Sequence, residues 1–182
     1  MTPGRIATRR AYTGRVISLD VDTVRFPDGS TGQLEIVRHP GASAIVPFLS
    51  DPGGADPQLL LLKQYRYAAD TTLYEVPAGR LDAGETPLAC AHRELLEETG
   101  CRAERMEHLF TMFTTPGFTD EKIHLFLATG LIAGEAKREP DEFIEVERVP
   151  LSKALSMIKD GVIQDAKTAL AIFFAAGFRA GR

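Results

Sequence analysis

The chain has 182 residues, 44% of them hydrophobic and 25% charged, the proportions of a soluble globular protein long enough to bury a core in one domain. A net charge of −4 gives no global basic field to attract nucleic acid. Two cysteines, Cys90 and Cys101, are too few for a disulfide framework and lack zinc-finger spacing. A reducing, cytoplasmic compartment suits them. No segment approaches the length of a membrane span, and no apolar run like a signal peptide opens the chain, so no membrane partner is expected.

In chain order, the Arg5, Arg9, Arg10 cluster reads as a solvated, partly disordered terminus. Alternating runs at Gly14–Asp20 and Leu34–His39 flank the turn signal FPDGSTG and predict a hairpin-like β-unit, with residues 1–40 as a semi-independent β-arm. Apolar, β-rich runs at Ala44–Leu49 and Leu59–Gln64 are separated by the loop DPGGADP. The second, LLLLKQYR, is short enough and close enough to a turn to favour a buried strand over a helix. Pro77, Gly79 and Gly84 then mark an irregular loop.

A helix follows. Thr86 is its N-cap, Pro87 its first residue and Gly100 its C′ glycine. Leu88, Ala91 and Leu95 give it a buried stripe, which leaves an acidic face pointing away from the core. Further strands are predicted at Met106–Thr114, Lys122–Ala128 and Phe143–Val149, and helices at about Ser152–Asp160 and Asp165–Ala176. The irregular alternation of helices and strands suggests a mixed sheet with helices packed on it.

The acidic face is the most informative part of the chain. Glu94, Glu97 and Glu98 stand at i, i+3, i+4, so their carboxylates repel. They also crowd the helix C-terminus, where the dipole favours cations. A bound cation would offset both costs, and hard divalent ions take carboxylate oxygen and bridge to phosphates. Arg93 stands at i, i+4 to Glu97 and can hold a carboxylate in place. Alone, an E-x-x-E-E run is more often a solvated face than a metal site.

The run does not stand alone. Residues 79–101, GRLDAGETPLACAHRELLEETGC, fill every fixed position of the Nudix box, G-x5-E-x7-R-E-U-x-E-E-x-G-U with U apolar. Pro116 in TTPGFTDE, the EVPAG lead-in, the LLKQYR strand and the PDEFIEV loop extend the resemblance over most of residues 12–175. The chain resembles the ADP-ribose pyrophosphatase branch of the Nudix superfamily.

That resemblance implies an α+β fold, a Nudix-type α/β/α sandwich with a mixed β-sheet and an N-terminal β-arm over residues 1–40, followed by the hydrolase domain over 41–182. It implies Mg²⁺ (Mn²⁺ or another divalent ion in its place) held by Glu94, Glu97, Glu98 and the Ala78 carbonyl, with Glu85 in a supporting part. The catalytic base falls on Glu142 in the late loop, where Asp141 and Glu145 also stand; some relatives draw it from the box, at Glu97 or Glu98. Arg66 matches an arginine that grips the diphosphate. Pro116, Gly117, Glu75 and Glu121 are placed against substrate, the two glutamates near ribose or water. Tyr65, Tyr67 and Phe118 are candidates for stacking on a base.

The activity implied is hydrolysis of ADP-ribose to AMP and ribose 5-phosphate by a homodimer whose arm crosses to the partner, because a lone hairpin is unstable without something to pack on. Two other readings stand beside it. One is hydrolysis of a different nucleoside diphosphate derivative, such as a nucleotide sugar, dinucleotide or flavin compound. The other is a silent nucleotide sensor, against which the intact glutamate set argues.

Overall fold

The computed structural model describes residues 2–135 and 143–177, which fall into two compact units. The first holds the chain up to Gly41 together with Thr111–Ile123. Strands β1 (Gly4–Thr13), β2 (Ser18–Arg25) and β3 (Thr31–Arg38) pair antiparallel in that order. The turn between β2 and β3 forms as its sequence suggests. Asp28 Oδ1 accepts from the N–H and hydroxyl of Ser30 at 2.9 and 2.6 Å, and Gly29 takes a φ of +87° that glycine adopts without steric cost.

Arg5, Arg9 and Arg10 lie on β1 and not in a loose terminus, which corrects the sequence expectation. The cause lies in β2. Asp20 and Asp22 are buried, and buried carboxylates need cations or donors. Arg10 bonds Asp20, the Thr8 hydroxyl donates to Asp22 at 2.7 Å, and Arg38 of β3 bonds both aspartates. A search for alternating apolar residues passes over β1 because charge, not apolar area, ties it down.

The same arginine secures residues 115–121. Arg38 Nη1 donates to Asp120 at 3.1 Å and the His39 N–H to the same carboxylate at 3.0 Å. The Val37 N–H donates to the Phe118 carbonyl at 2.8 Å, and a parallel bridge joins Val37 to Thr119. This segment is therefore clipped along β3 by backbone and side chain together.

The second unit comprises Ala42–Phe110 and the chain from His124 onward. Its elements are β4 (Ala42–Pro47), β5 (Gln58–Arg66), β6 (Thr71–Glu75), β7 (Ala78–Arg80), α1 (Pro87–Thr99), most of β8 (Cys101–Phe113) and of β9 (Lys122–Ala133), β10 (Ile144–Pro150), α2 (Leu151–Lys159) and α3 (Ala166–Gly177). One sheet runs β10-β5-β6 with antiparallel pairing, the other β7-β4-β9-β8. The leucine run 59–62 is a buried strand, as its length suggests. Three residues of the expected irregular loop form β7, which pairs antiparallel with β4.

Helix α1 starts and stops where its sequence dictates. The Thr86 hydroxyl accepts from the Ala89 N–H at 3.2 Å, and Gly100 ends the helix at φ +70° with its N–H on the Leu96 carbonyl. Ala91 and Leu95 pack against Ile45, Phe126 and Ala128. Two expectations about this helix are corrected. Leu88 is 47% exposed, and the acidic face does not point away from the interior, since Glu94 and Glu98 are 7% and 2% exposed. At 100° per residue the buried stripe is Cys90, Ala91, Glu94, Leu95 and Glu98, rotated so that Leu88 falls at its margin.

Helix α3 packs on β4 and β6, and α2 on β10. Both match the expected helices to within a residue or two. Among the described residues no helix is long and apolar enough to cross a membrane. The cap on α1 can be tested directly. Thr86→Ala is expected to lower unfolding free energy by about 1 kcal/mol, the usual worth of an N-cap hydroxyl, as a reduced urea midpoint at unchanged m-value.

Candidate active site

Two neighbouring elements build the acidic cluster: α1, which carries the glutamates, and β7, which β4 holds edge-on through the pairs Ala44–Ala78 and Ser43–Gly79. The Ala78 N–H donates to Glu98 Oε2 at 2.8 Å, tying helix to strand. Gly79 is needed for close approach, because a Cβ there would overlap the carboxylate of Glu94. Cys90 lies against the same strand, 3.5 Å from the Gly79 carbonyl. Burial pushes its thiol up to about 11, so it stays protonated and packs as a small apolar residue.

Arg93 organises the carboxylates. Its Nε and Nη2 form a fork on Glu85 at 2.9 and 2.8 Å, and Nη1 reaches Glu94 at 2.6 Å and Glu97 at 3.0 Å. Nη2 also donates to the Arg80 carbonyl at 3.0 Å, so the guanidinium locks the β7 end to the helix. Hydrogen bonding to Glu85 is the largest of the effects that raise the Arg93 pKa. In return, Arg93 and the Asp82 N–H bring the Glu85 carboxyl from the usual 4.5 down to about 2.

Among the described residues, no three acidic, histidine or cysteine side chains converge in metal-holding geometry; Arg93 is the cation that Glu94 and Glu97 share. The donor set nevertheless fits a hard divalent ion. Three carboxylates stand on adjacent turns, two of them buried, against a glycine whose missing side chain leaves room for them. Glu94, Glu97, Glu98, Glu85 and Ala78 are thus brought together.

A second cluster sits on β5, β6 and α3. Arg66, the last residue of β5, places Nε and Nη2 on Glu75 at 2.6 and 2.9 Å. Glu75 ends β6 and is 2% exposed; Lys167 Nζ bonds its Oε2 as well. Burial pushes the Glu75 carboxyl up, but Arg66 and Lys167 together outweigh it and hold the group below its ordinary range. The Arg66 guanidinium is raised by its bond to Glu75, with the charges of Glu98 and Asp165 adding to the effect. Glu98 is therefore near enough to be felt at Arg66, which sets the two clusters side by side.

The remaining candidates fall elsewhere. Pro116, Gly117 and Glu121 belong to the first unit, where Glu121 Oε2 accepts from the Thr114 hydroxyl at 2.9 Å and Oε1 stands 3.4 Å from His39 Nδ1. Tyr65 alternates with Arg66 and so faces the other side of its sheet, its hydroxyl on Asp70 at 2.8 Å. Tyr67 is almost wholly exposed, and Phe118 lies in the first unit. Asp141 and Glu142 lie outside the described residues; Glu145 is an exposed β10 residue whose carboxylate stands 3.7 Å from Lys63 Nζ.

Sequence reasoning missed Lys167, Asp165 and Thr168. Asp165 precedes α3 and accepts from the Thr168 N–H at 3.0 Å, as an N-cap carboxylate does. It also takes Lys167 Nζ at 2.9 Å, while the Thr168 hydroxyl accepts from the Val76 N–H at 2.9 Å. The D-x-x-T spacing signals the cap. Nothing local signals that the lysine between them meets β6.

Residues 39–171 match the NUDIX domain model, and the chain belongs to that family. It is 43% identical over 169 residues to an ADP-ribose pyrophosphatase of Bacillus subtilis, spanning 92% of this chain and 89% of that one. It is 42% identical, again over 169 residues and with the same coverage, to a methanol dehydrogenase activator of Bacillus methanolicus. A crystal structure of an ADP compounds hydrolase superposes with a TM-score of 0.83 over 100% of this chain and 96% of that one at 21% identity. That likeness bears out the α+β, Nudix-type fold.

The Glu85–Arg93 fork makes stability depend on pH. The folded-state value lies below the unfolded one, so its stabilisation is present above 4.5 and is lost as pH falls toward about 2. Thermal melts of wild type and Glu85→Gln from about pH 6 to pH 2.5 are expected to differ most at the upper end and converge at the lower.

Proposed function

We propose that this protein hydrolyses the diphosphate of ADP-ribose to AMP and ribose 5-phosphate with a divalent cation, Mg²⁺ first and Mn²⁺ or another in its place. The observation that carries the reading is the pair of buried carboxylates, Glu94 and Glu98, beside an arginine fork whose Nη1 has no hydrogen-bond partner among the described residues. The similarity to an ADP-ribose pyrophosphatase over 92% of the chain supports the substrate.

Glu94, Glu97, Glu98 and the Ala78 carbonyl would hold the cation, with Glu85 aligning them through Arg93. When bound, the cation supplies diphosphate neutralisation and a lowered water pKa. Arg66 would grip a phosphate oxygen, a task suited to a fixed, permanently charged fork. Glu75 keeps that fork aligned. The base that takes the proton of the attacking water is proposed as Glu142, with Glu97 or Glu98 as the alternatives within the box. One water is consumed: its oxygen bonds one phosphorus, the bridging P–O bond breaks, and a proton ends on the leaving phosphate.

Loss of even an outer partner of a metal ligand costs roughly 10–100-fold, so Glu98→Gln is expected to lower Mg²⁺-dependent kcat/KM by about 100-fold or more. The amide can still accept from Ala78 N–H, so far-UV circular dichroism is expected to stay unchanged; retained activity would remove Glu98 from the metal site. The substrate is tested by a panel of ADP-ribose, nucleotide sugars, dinucleotides and flavin compounds with Mg²⁺ or Mn²⁺. A nucleotide sugar or dinucleotide clearly ahead of ADP-ribose in kcat/KM would move the assignment to the other derivatives.

We further propose a homodimer built through the arm, residues 1–40. β1 is an edge strand exposed along all ten residues, with Ile6 and Tyr12 more than half exposed. Such an edge is a template for pairing with another chain. The double variant Ile6→Asp, Tyr12→Asp is expected to run as a monomer in light scattering where wild type runs as a dimer. A wild-type monomer would end the proposal.

A further inference from the structure

Lys167 stands where a helix does not favour it. It lies in the first turn of α3, at the positive end of the helix dipole, where acidic residues are preferred. Its side chain is only 15% exposed, and Nζ is committed to two carboxylates, Glu75 from β6 and Asp165 from the helix cap. A cation accepts that position when nearby negative charge demands it. Glu75 is that charge: 2% exposed, at a strand end, and the carboxylate on which the Arg66 fork rests among the described residues.

We infer that Lys167 is a positioning residue for the diphosphate grip, holding Glu75 so that Arg66 keeps its fork geometry and its Nη1 remains available to phosphate. The inference rests on the reading of Arg66 given above. An arginine that is the only counter-ion of a buried carboxylate presents little net charge to a ligand. With Lys167 on Oε2, Glu75 does not draw on Arg66 alone, and the fork is held through Nε and Nη2 with Nη1 left to meet an anion. Asp165 in turn anchors Lys167 while capping α3 through Thr168, so the lysine is fixed by the helix start itself. The path is direct: α3 cap to Lys167, Lys167 to Glu75, Glu75 to Arg66.

The test uses the full chain, with KM and kcat for ADP-ribose and the Kd of non-hydrolysable α,β-methylene ADP-ribose with Mg²⁺ by calorimetry. Lys167→Met is expected to raise KM and Kd about tenfold with kcat within about threefold, the pattern of lost ground-state binding. Lys167→Arg is expected to restore both to within about threefold of wild type, as a second cation on Glu75. In an Arg66→Ala background Lys167→Met is expected to add no further loss, because residues acting through one another are not additive.

The inference is overturned if Kd is unmoved by Lys167→Met, if Lys167→Arg fails to rescue, or if the Arg66 and Lys167 losses add. If Lys167→Met does not fold, Lys167→Gln is measured in its place with the same expected shifts. Arg66→Ala separates the two levels. A silent Arg66→Ala sinks the grip and this inference together, whereas a weakened Arg66→Ala beside a silent Lys167→Met sinks this inference alone.

Discussion

Arg93 makes the acidic helix possible before any ligand binds. Like charges one turn apart destabilise a helix by a few tenths of a kcal/mol per pair when exposed, and by far more when desolvated without partners. Glu94 and Glu98 are both nearly inaccessible. Arg93 answers with three carboxylates and one carbonyl on a single guanidinium, which a lysine with its compact charge could not span in one plane. Glu98, the deepest, is met by a backbone N–H of β7. The strand is thereby required to lie within hydrogen-bond distance of the helix, and Gly79 is required beside it.

That constraint runs outward through the fold. β7 is only three residues long and is held by β4. β4 also carries Ile45, against which Ala91 and Leu95 pack. The helix is fixed from its apolar side by the sheet and from its acidic side by the strand. Capping by Thr86 and the left-handed Gly100 fix where it begins and ends, which sets the rotational phase of the glutamates relative to Gly79.

Most of the elements were legible in the sequence because they carry local signals: the Thr86 cap, the leucine run of β5, the Asp-Gly turn between β2 and β3. What was not legible has one physical origin. β1 is held by arginines on buried aspartates, β7 by helix-to-strand hydrogen bonds, and Glu94 and Glu98 are inside although charge normally marks a surface. Each depends on a partner distant in sequence, which periodicity does not report. The box spacing exposed the acidic cluster even so, because there the chemical pattern is local. Arg66 was visible at a strand end, but Glu75 and Lys167 as its supports were not, since three separate elements have to meet first.

The two clusters of the second unit differ in their charge, and the difference bears on the proposed chemistry. Around Arg93, three carboxylates share one guanidinium; around Glu75, two cations share two carboxylates. Neither offers a diphosphate a surplus of positive charge from protein alone. On the proposed reading, a divalent cation turns the first cluster from a repelling wall into an attracting one. The second then supplies a directional bond from Arg66 and not bulk attraction. Both clusters place charge at the helix end that disfavours it, glutamates at the C-terminus of α1 and a lysine at the N-terminus of α3. A fold shaped by stability alone would reverse both. In the proposed site each misplaced charge has a partner on a neighbouring strand or in the ligand.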